Sequence, residues 1–374
     1  MKVKLGDIAV LINGDRGRNY PSQSDIDPFG DVPFVNAGHL TGREISFDEM
    51  NYISQEKYEK LNSGKFKKGD ILYCLRGSLG KKAVIKNDIY GAIASSLVII
   101  RPNTTKVDVD YLMFALDSPS IQEQLKRANN GSSQPNLSAA SVRAYDIDLP
   151  GKELQLEISE RLSKVRSVID ARKEEIALLD DLIKARFVEM FGDVIHNNLG
   201  WQQYMFSDIA ASRLGKMLDA KQQTGKHRFP YLANFNVQWF RFELGNLNEM
   251  DFDEKDQKEF ALRDGDLLVC EGGEIGRCAV WHNDIQPCFF QKALHRVRCD
   301  TGVVLPDYLA RWFQYNCEHG GFASIEGAKA TIAHLPGAKL KVLQVVVPPI
   351  DFQKQFITFV AQIDKSKFAD LRFL

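Results

Sequence analysis

Few residues of this 374-residue chain are arranged for bond-making chemistry. Gly77-Ser78-Leu79-Gly80-Lys81-Lys82 has the outline of a phosphate loop, but Leu75 stands where such a loop opens with glycine. Lys82 also stands where Ser or Thr would hold magnesium. There is no GxSxG elbow, no HExxH pair and no Asn-Pro-Pro-aromatic methyltransferase motif, and Pro306-Asp307 is not followed by a nuclease-type Glu-x-Lys. The six cysteines form no CxxC pair and the histidines no zinc spacing, so buried, reduced thiols and no metal are expected. Catalysis is therefore not expected of this chain. What it does offer is hydrogen-bonding side chains in short runs. Lys126 and Arg127 precede Asn129-Asn130-Gly131-Ser132-Ser133-Gln134-Pro135-Asn136, and the glycine loop carries Arg76, Ser78, Lys81 and Lys82. Amides can pair with adenine N6 and N7, and basic side chains with phosphate or guanine. A solvated polar loop and a plain turn between strands are the competing readings.

The elements that would position these residues are written twice. Residues 68–89, KGDILYCLRGSLGKKAVIKNDI, align without a gap on 264–285, DGDLLVCEGGEIGRCAVWHNDI, so that Gly69 falls on Gly265, Cys74 on Cys270, Gly77 on Gly273 and Gly80 on Gly276. Flanking matches extend the repeat: Pro33-Phe34-Val35 with Pro230-Tyr231-Leu232, Asp110-Tyr111-Leu112 with Asp307-Tyr308-Leu309, and Ile147-Asp148-Leu149-Pro150 with Val345-Val346-Val347-Pro348. A period near half the chain is too long for a solenoid and implies two copies of one domain. Glycines and apolar positions persist while the polar residues between them change, which suits a shared scaffold with two different targets. The short β-rich runs Asp70 to Leu75, Ala92 to Arg101 and Asp266 to Cys270, with helices near Tyr111 to Asp117 and Ile121 to Lys126, give each copy an α+β reading.

Composition sets the outer limits. With 44% hydrophobic and 26% charged residues the chain is ordinary for a soluble globular protein, long enough for two cores. No apolar run is long enough for a membrane span, and Met1-Lys2-Val3-Lys4 leads into Gly6-Asp7 rather than a signal-peptide core, so a cytoplasmic protein without a membrane partner is expected. The net charge of −1 means that any nucleic-acid surface must be a local basic patch.

Between the copies the pattern changes. From Leu154 to Phe191 there is no Pro or Gly, and Ile158, Leu162, Val165, Ile169, Ile176, Leu179, Ile183, Phe187 and Met190 recur at steps of three and four, with Arg172 in the one missing slot. That is a coiled-coil seam, ended by Gly192. After Pro348-Pro349, Phe352, Phe356, Val360 and Ile363 repeat the places of Leu154, Ile158, Leu162 and Val165. An antiparallel pair of the two helices would relate the heads by a pseudo-twofold axis, with a spacer of roughly 57 Å at about 1.5 Å per residue. Duplex DNA shares that symmetry, so two such heads would suit two short sequence blocks at a fixed interval.

This order resembles the specificity (S) subunit of Type I restriction-modification systems. The resemblance is carried by Lys4-Leu5-Gly6-Asp7-Ile8, Pro33-Phe34-Val35-Asn36, Gly69-Asp70-Ile71-Leu72 into Gly77-Ser78-Leu79-Gly80, Leu149-Pro150 and Val347-Pro348-Pro349 before the helices, and Arg186-Phe187-Val188-Glu189-Met190-Phe191-Gly192-Asp193. It covers essentially the whole chain. It implies two target-recognition domains, 1–150 and 193–350, a central spacer helix over 151–192 and a short distal helix over 351–374. The implied partners are double-stranded DNA, methyltransferase (M) subunits docked on the helices, and restriction and translocase (R) subunits. S-adenosylmethionine, ATP and Mg would be used by those partners, leaving this chain without a cofactor. One departure stands out: the distal helix is shorter than the central one, and Lys367 occupies the slot equivalent to Ile169. The far half, Ile176 to Met190, is then expected to be covered by an M subunit, by another S chain through self-association, or by further residues.

Candidate DNA contacts follow from side-chain chemistry. The first head adds Asn36, His39, Thr41 and Arg43 to the residues already named. The second offers Asn234, Asn236, Gln238, Glu271, Glu274, Arg277, Gln291, Lys292, His295 and Arg296, with Lys329, Thr331 and His334 in the segment matching the polar run. Carboxylates there would repel phosphate but could accept from cytosine N4. The alternative is a truncated or inactive S variant, or a coiled-coil adaptor without sequence-specific DNA binding.

Overall fold

In the computed structural model, residues 1–129, 135–219, 223–323 and 334–371 are described. Contacts cluster into two compact units, Met1–Asp170 and Ala171–Leu374, so the boundary falls within the long helix Lys152–Phe191.

The first unit centres on a four-stranded antiparallel sheet ordered Ala9–Asn13, Leu97–Pro102, Ile71–Cys74, Lys82–Val84. Val98 and Ile100 join Ile71 and Tyr73 in one apolar cluster, while Leu97 and Ile99 join Leu72 and Cys74 in another. Both faces of the sheet are covered, which is why its strands read as continuous apolar runs rather than alternating ones. The run expected as one strand from Ala92 to Arg101 is two, Gly91–Ile93 and Leu97–Pro102, because Leu97 N donates to Ala94 O across a turn. Gly91–Ile93 belongs to a second sheet ordered Tyr52–Ile53, Val32–Val35, Gly91–Ile93, Lys65–Phe66, where it runs parallel to Val32–Val35. The helices Val109–Ala115 and Pro119–Ala128 begin on the side-chain caps Asp108 and Ser118.

The second unit repeats this plan. Its antiparallel sheet is ordered Ala210–Leu214, Leu294–Cys299, Leu267–Cys270, Cys278–Val280, and a smaller sheet sets Arg228–Leu232 parallel to Phe289–Phe290. A buried ion pair recurs at equivalent places: the carboxylate of Asp70 takes two bonds from Arg101, at 2.8 and 2.7 Å, and that of Asp266 two from Arg298, at 2.6 and 3.1 Å. The hydroxyl of Tyr111 donates to Asp148 O and that of Tyr308 to Val346 O, closing the same corner.

The long helix stops at Gly192, whose φ of 71° suits a residue without Cβ. In the second unit the distal helix Ile350–Leu371 lies antiparallel to its closing turns: Phe356 meets Phe187 at 5.5 Å between ring centroids, Phe359 meets Arg186, and Lys367 bonds Asp180 at 2.5 Å. The end of the far half is thus covered by the chain's own distal helix, where an M subunit, another S chain or further residues were expected. Ile183 and Phe187 are buried against Phe356, while Ile176, Leu179, Val360 and Ile363 are partly buried. In the first unit, Ile158 and Ile169 are partly buried, but Leu162 and Val165 are exposed. No helix among the described residues is long and apolar enough to cross a membrane.

Candidate nucleic-acid interface

Three segments singled out from sequence converge at one end of the large sheet in each unit. In the first, strand Ile71–Cys74 runs into a loop closed by Cys74 N to Lys81 O (2.8 Å) and Gly80 N to Cys74 O (3.1 Å). Gly77 and Gly80 both take φ of 78°, so the duplicated glycines answer a backbone requirement. The polar segment docks on this loop through Leu137 N to Leu75 O (2.8 Å), Gly77 N to Pro135 O (3.2 Å) and a bridge between Arg76 and Asn136. The Asn36 turn is tied in from the other side by Lys81 Nζ donating to Ala37 O at 3.1 Å.

The second unit makes the corresponding bonds. Cys270 N donates to Arg277 O (2.8 Å), Gly276 N to Cys270 O (3.2 Å) and Leu335 N to Glu271 O (2.7 Å), His334 bridges Gly272, and Arg277 Nη2 donates to Asn234 O (3.0 Å). The backbone frame is thus common to both heads and the exposed side chains are not. Arg76 and Ser78 are exposed in the first, whereas Glu274 and Lys292 are exposed in the second. Glu274 accepts from Trp239 Nε1 at 2.7 Å and from Arg277 at 3.2 Å, so its carboxylate is already oriented.

Several candidates turn inward instead. Lys82 is buried in an ion pair with Asp117, and Arg43 lies 3.9 Å above the Phe114 ring and 3.7 Å from the same carboxylate. Burial lowers the pKa of both cations, Asp117 partly opposing it. Thr41 lines a cleft with Arg43 and with Ser163 and Arg166 of the long helix, away from the loops. His39 is buried and accepts from Asn36 N at 3.1 Å; Asn236 is buried and accepts from Ala233 N at 3.0 Å. His295 bonds Leu335 O at 3.0 Å, and Arg296 donates to Glu259 O at 2.7 Å. Burial pushes the histidines below their ordinary pKa and Arg296 down to about 10. These residues hold the frame.

Among the remainder, Asn36 caps its turn by accepting from Gly38 N, and Gln238 donates to Phe235 O. Asn234, Glu271 and Gln291 are partly buried at the loop bases, while Lys126 and Arg127 are exposed on the helix leading to the polar segment. Asn130, Ser132, Ser133, Gln134, Lys329 and Thr331 lie outside the described residues. Sequence reading passed over Trp239 and over Arg16, whose Nη2 reaches Ser95 O at 3.4 Å beside the glycine loop. The alternation of glycine and charge in Gly14-Asp15-Arg16-Gly17-Arg18 was the available signal. Among the described residues no cluster of His, Cys, Asp and Glu could hold a metal ion.

Residues 1–180 match the family model for the Type I restriction modification DNA specificity domain. The chain is 25% identical to the Type I restriction enzyme HindI specificity subunit of Haemophilus influenzae over 184 residues, 48% of this chain and 40% of that protein. It is 26% identical to the MjaIX specificity subunit of Methanocaldococcus jannaschii over 167 residues, 44% of this chain and 38% of the relative. These alignments therefore span well under half of those relatives. A longer match, 20% identical, covers 93% of this chain and 79% of the EcoKI specificity subunit of Escherichia coli. Among solved structures, the Type I restriction-modification S subunit from M. genitalium shares the fold, with a TM-score of 0.57 at 14% identity over 100% of this chain and 91% of that one. A chain from a study of complex assembly and conformational transition of the type I R-M system superposes with a TM-score of 0.55 at 16% identity, covering 99% of this chain and 91% of that one. Residues 1–180 thus match the Type I restriction modification DNA specificity domain, and over its length the chain shares its fold with solved S subunits.

Proposed function

We propose that this chain is the non-catalytic DNA-specificity subunit of a Type I restriction-modification complex, in which each head reads one half of a bipartite site. The observation that carries the proposal is the duplicated loop frame: the same backbone bonds close both heads, while the exposed side chains differ at equivalent positions. Phosphate contacts would place each head and side-chain hydrogen bonds would choose bases. The helix Lys152–Phe191 sets the interval between half-sites and docks methyltransferase subunits, with restriction and translocase subunits joining the larger assembly. Adenine methylation from S-adenosylmethionine and ATP- and Mg-dependent cleavage belong to those partners. Binding by the isolated chain is weak and falls steeply with salt.

The test is long-read methylation mapping in a host that carries the chain with its methyltransferase partner. The expected result is one split motif, and exchanging residues 1–150 for another first head changes one half only. Absence of sequence-selective methylation, or a change in both halves after the exchange, overturns the proposal.

A further inference from the structure

The stretch between the first strand of the large sheet and the rest of the first head is built more rigidly than a solvated loop requires. Strand Ala9–Asn13 ends opposite Val98, at the same sheet end as Cys74, so residues 14–19 emerge beside the glycine loop. Gly14 is pressed against the chain before Leu97: a Cβ there would stand 2.8 Å from Ala94 O. Asp15 is 6% exposed, and its carboxylate accepts from Gly17 N and from Asn62 N, each at 2.7 Å. An inward carboxylate thus templates the turn and leaves its neighbours, Arg16 and Arg18, facing solvent. The Arg16 guanidinium reaches Ser95 O at 3.4 Å, and the next residue, Ser96, accepts from Leu75 N at 2.8 Å, so this loop abuts the base of the Arg76 loop.

The second head supplies an internal comparison. Gly215 is held at the equivalent place, where a Cβ would lie 2.3 Å from Gln291 O. The cation that follows it, Lys216, turns inward to Asp256, and the exposed residues after it are Met217 and Leu218. The frame therefore folds without arginines at these positions, and folding does not account for Arg16 and Arg18.

The geometry points to the Gly14–Arg18 loop as a DNA-backbone clamp of the first head, with Arg16 and Arg18 each on a phosphate beside the bases faced by Arg76. This rests on the DNA-reading function proposed above. Backbone neutralisation is independent of sequence, so a mixed-sequence duplex reports it.

The experiment is fluorescence anisotropy of the full chain with a long mixed-sequence DNA duplex between about 50 and about 200 mM salt. The variant Arg16→Ala/Arg18→Ala should lose about two from the slope of log K against log salt, at about 0.9 per phosphate contact. Arg16→Lys/Arg18→Lys should keep the wild-type slope, as should Lys106→Ala, an exposed residue beyond the opposite end of the sheet. If the wild-type chain binds with a steep slope that the alanine pair leaves unchanged, the clamp is overturned and DNA reading stands. If the wild-type chain shows no salt-dependent binding, the DNA-reading function fails and the clamp with it. Should the alanine pair prove unfolded, the lysine pair and a single Arg18→Ala variant decide: an unchanged slope in Arg18→Ala overturns the assignment.

Discussion

Gln155 and Gln353 make the same three hydrogen bonds, one at the foot of each long helix. Gln155 Oε1 accepts from Asp108 N at 2.8 Å while Nε2 donates to Lys106 O and Pro150 O; Gln353 Oε1 accepts from Leu305 N at 2.9 Å while Nε2 donates to Val303 O and Pro348 O. Both side chains are buried, so each amide satisfies three backbone groups that water does not reach. Gln353→Leu should destabilise the second unit by about 3 kcal/mol, at about 1 kcal/mol per bond. Gln353→Glu should cost at least as much, since its second oxygen would face two carbonyls. Chemical denaturation of the two variants against wild type checks both outcomes; equal midpoints would show that the amide does not fasten the helix.

His39 fills the place that Asn236 fills in the second head: each accepts from the backbone amide three residues before it, at 3.1 and 3.0 Å. Burial holds the His39 pKa below its ordinary 6.5. The folded head then binds a proton less readily than the unfolded chain, so the stability contributed by neutral His39 is complete above about pH 6.5 and is lost as pH falls through the depressed folded value. His39→Asn should keep the acceptor, leave stability near pH 7.5 within about 1 kcal/mol of wild type, and lessen the loss on acidification. Burial depresses His295 as well, so the second head keeps its own acid sensitivity. Hydrogen exchange followed head by head above and below about pH 6.5 separates these contributions.

Arg76 and Lys82 are six positions apart and should respond oppositely to substitution. Arg76 is exposed on the loop tip, while Lys82 is buried with Asp117. Arg76→Ala should weaken DNA binding and lower the salt slope by about one, leaving stability within about 0.5 kcal/mol. Lys82→Ala should cost the first unit about 2 kcal/mol with the slope unchanged. Anisotropy titrations paired with thermal melts give both readouts, and a slope change in Lys82→Ala would return that residue to the interface.

What was legible in the sequence is what constrains the backbone. Gly77 and Gly273, with φ of 78° and 83°, survive duplication because other residues are strained there, and the three-and-four spacing of Ile183, Phe187 and Met190 needs only helical geometry to be read. The direction of a polar side chain is not written locally. His295, Asn236 and Lys82 had the types expected of contacts, yet each meets a partner set by tertiary packing. Gln155 escaped notice for the same reason: two of its bonds reach residues nearly fifty positions away. Which part of the long helix is covered depended on register, fixed by Phe356 seating on Phe187 and Phe191 and not by either helix alone.

That register yields the sharpest contrast along one seam. Phe187 is 3% exposed and touches Phe191, Tyr308, Tyr315 and Phe356 within 6 Å between ring centroids, whereas Val165, on the same stripe, is 56% exposed. Phe187→Ala opens a cavity among aromatic rings that cannot all collapse, so it should destabilise the second unit by about 4 kcal/mol. Val165→Thr removes little buried surface and should change the stability of the isolated chain by no more than about 0.5 kcal/mol. If the methyltransferase docks on this stripe, as proposed, Val165→Thr should weaken co-purification of that partner while leaving the melting of the isolated chain untouched. A wild-type yield of complex from Val165→Thr, together with a wild-type melt, would place the docking surface elsewhere on the chain.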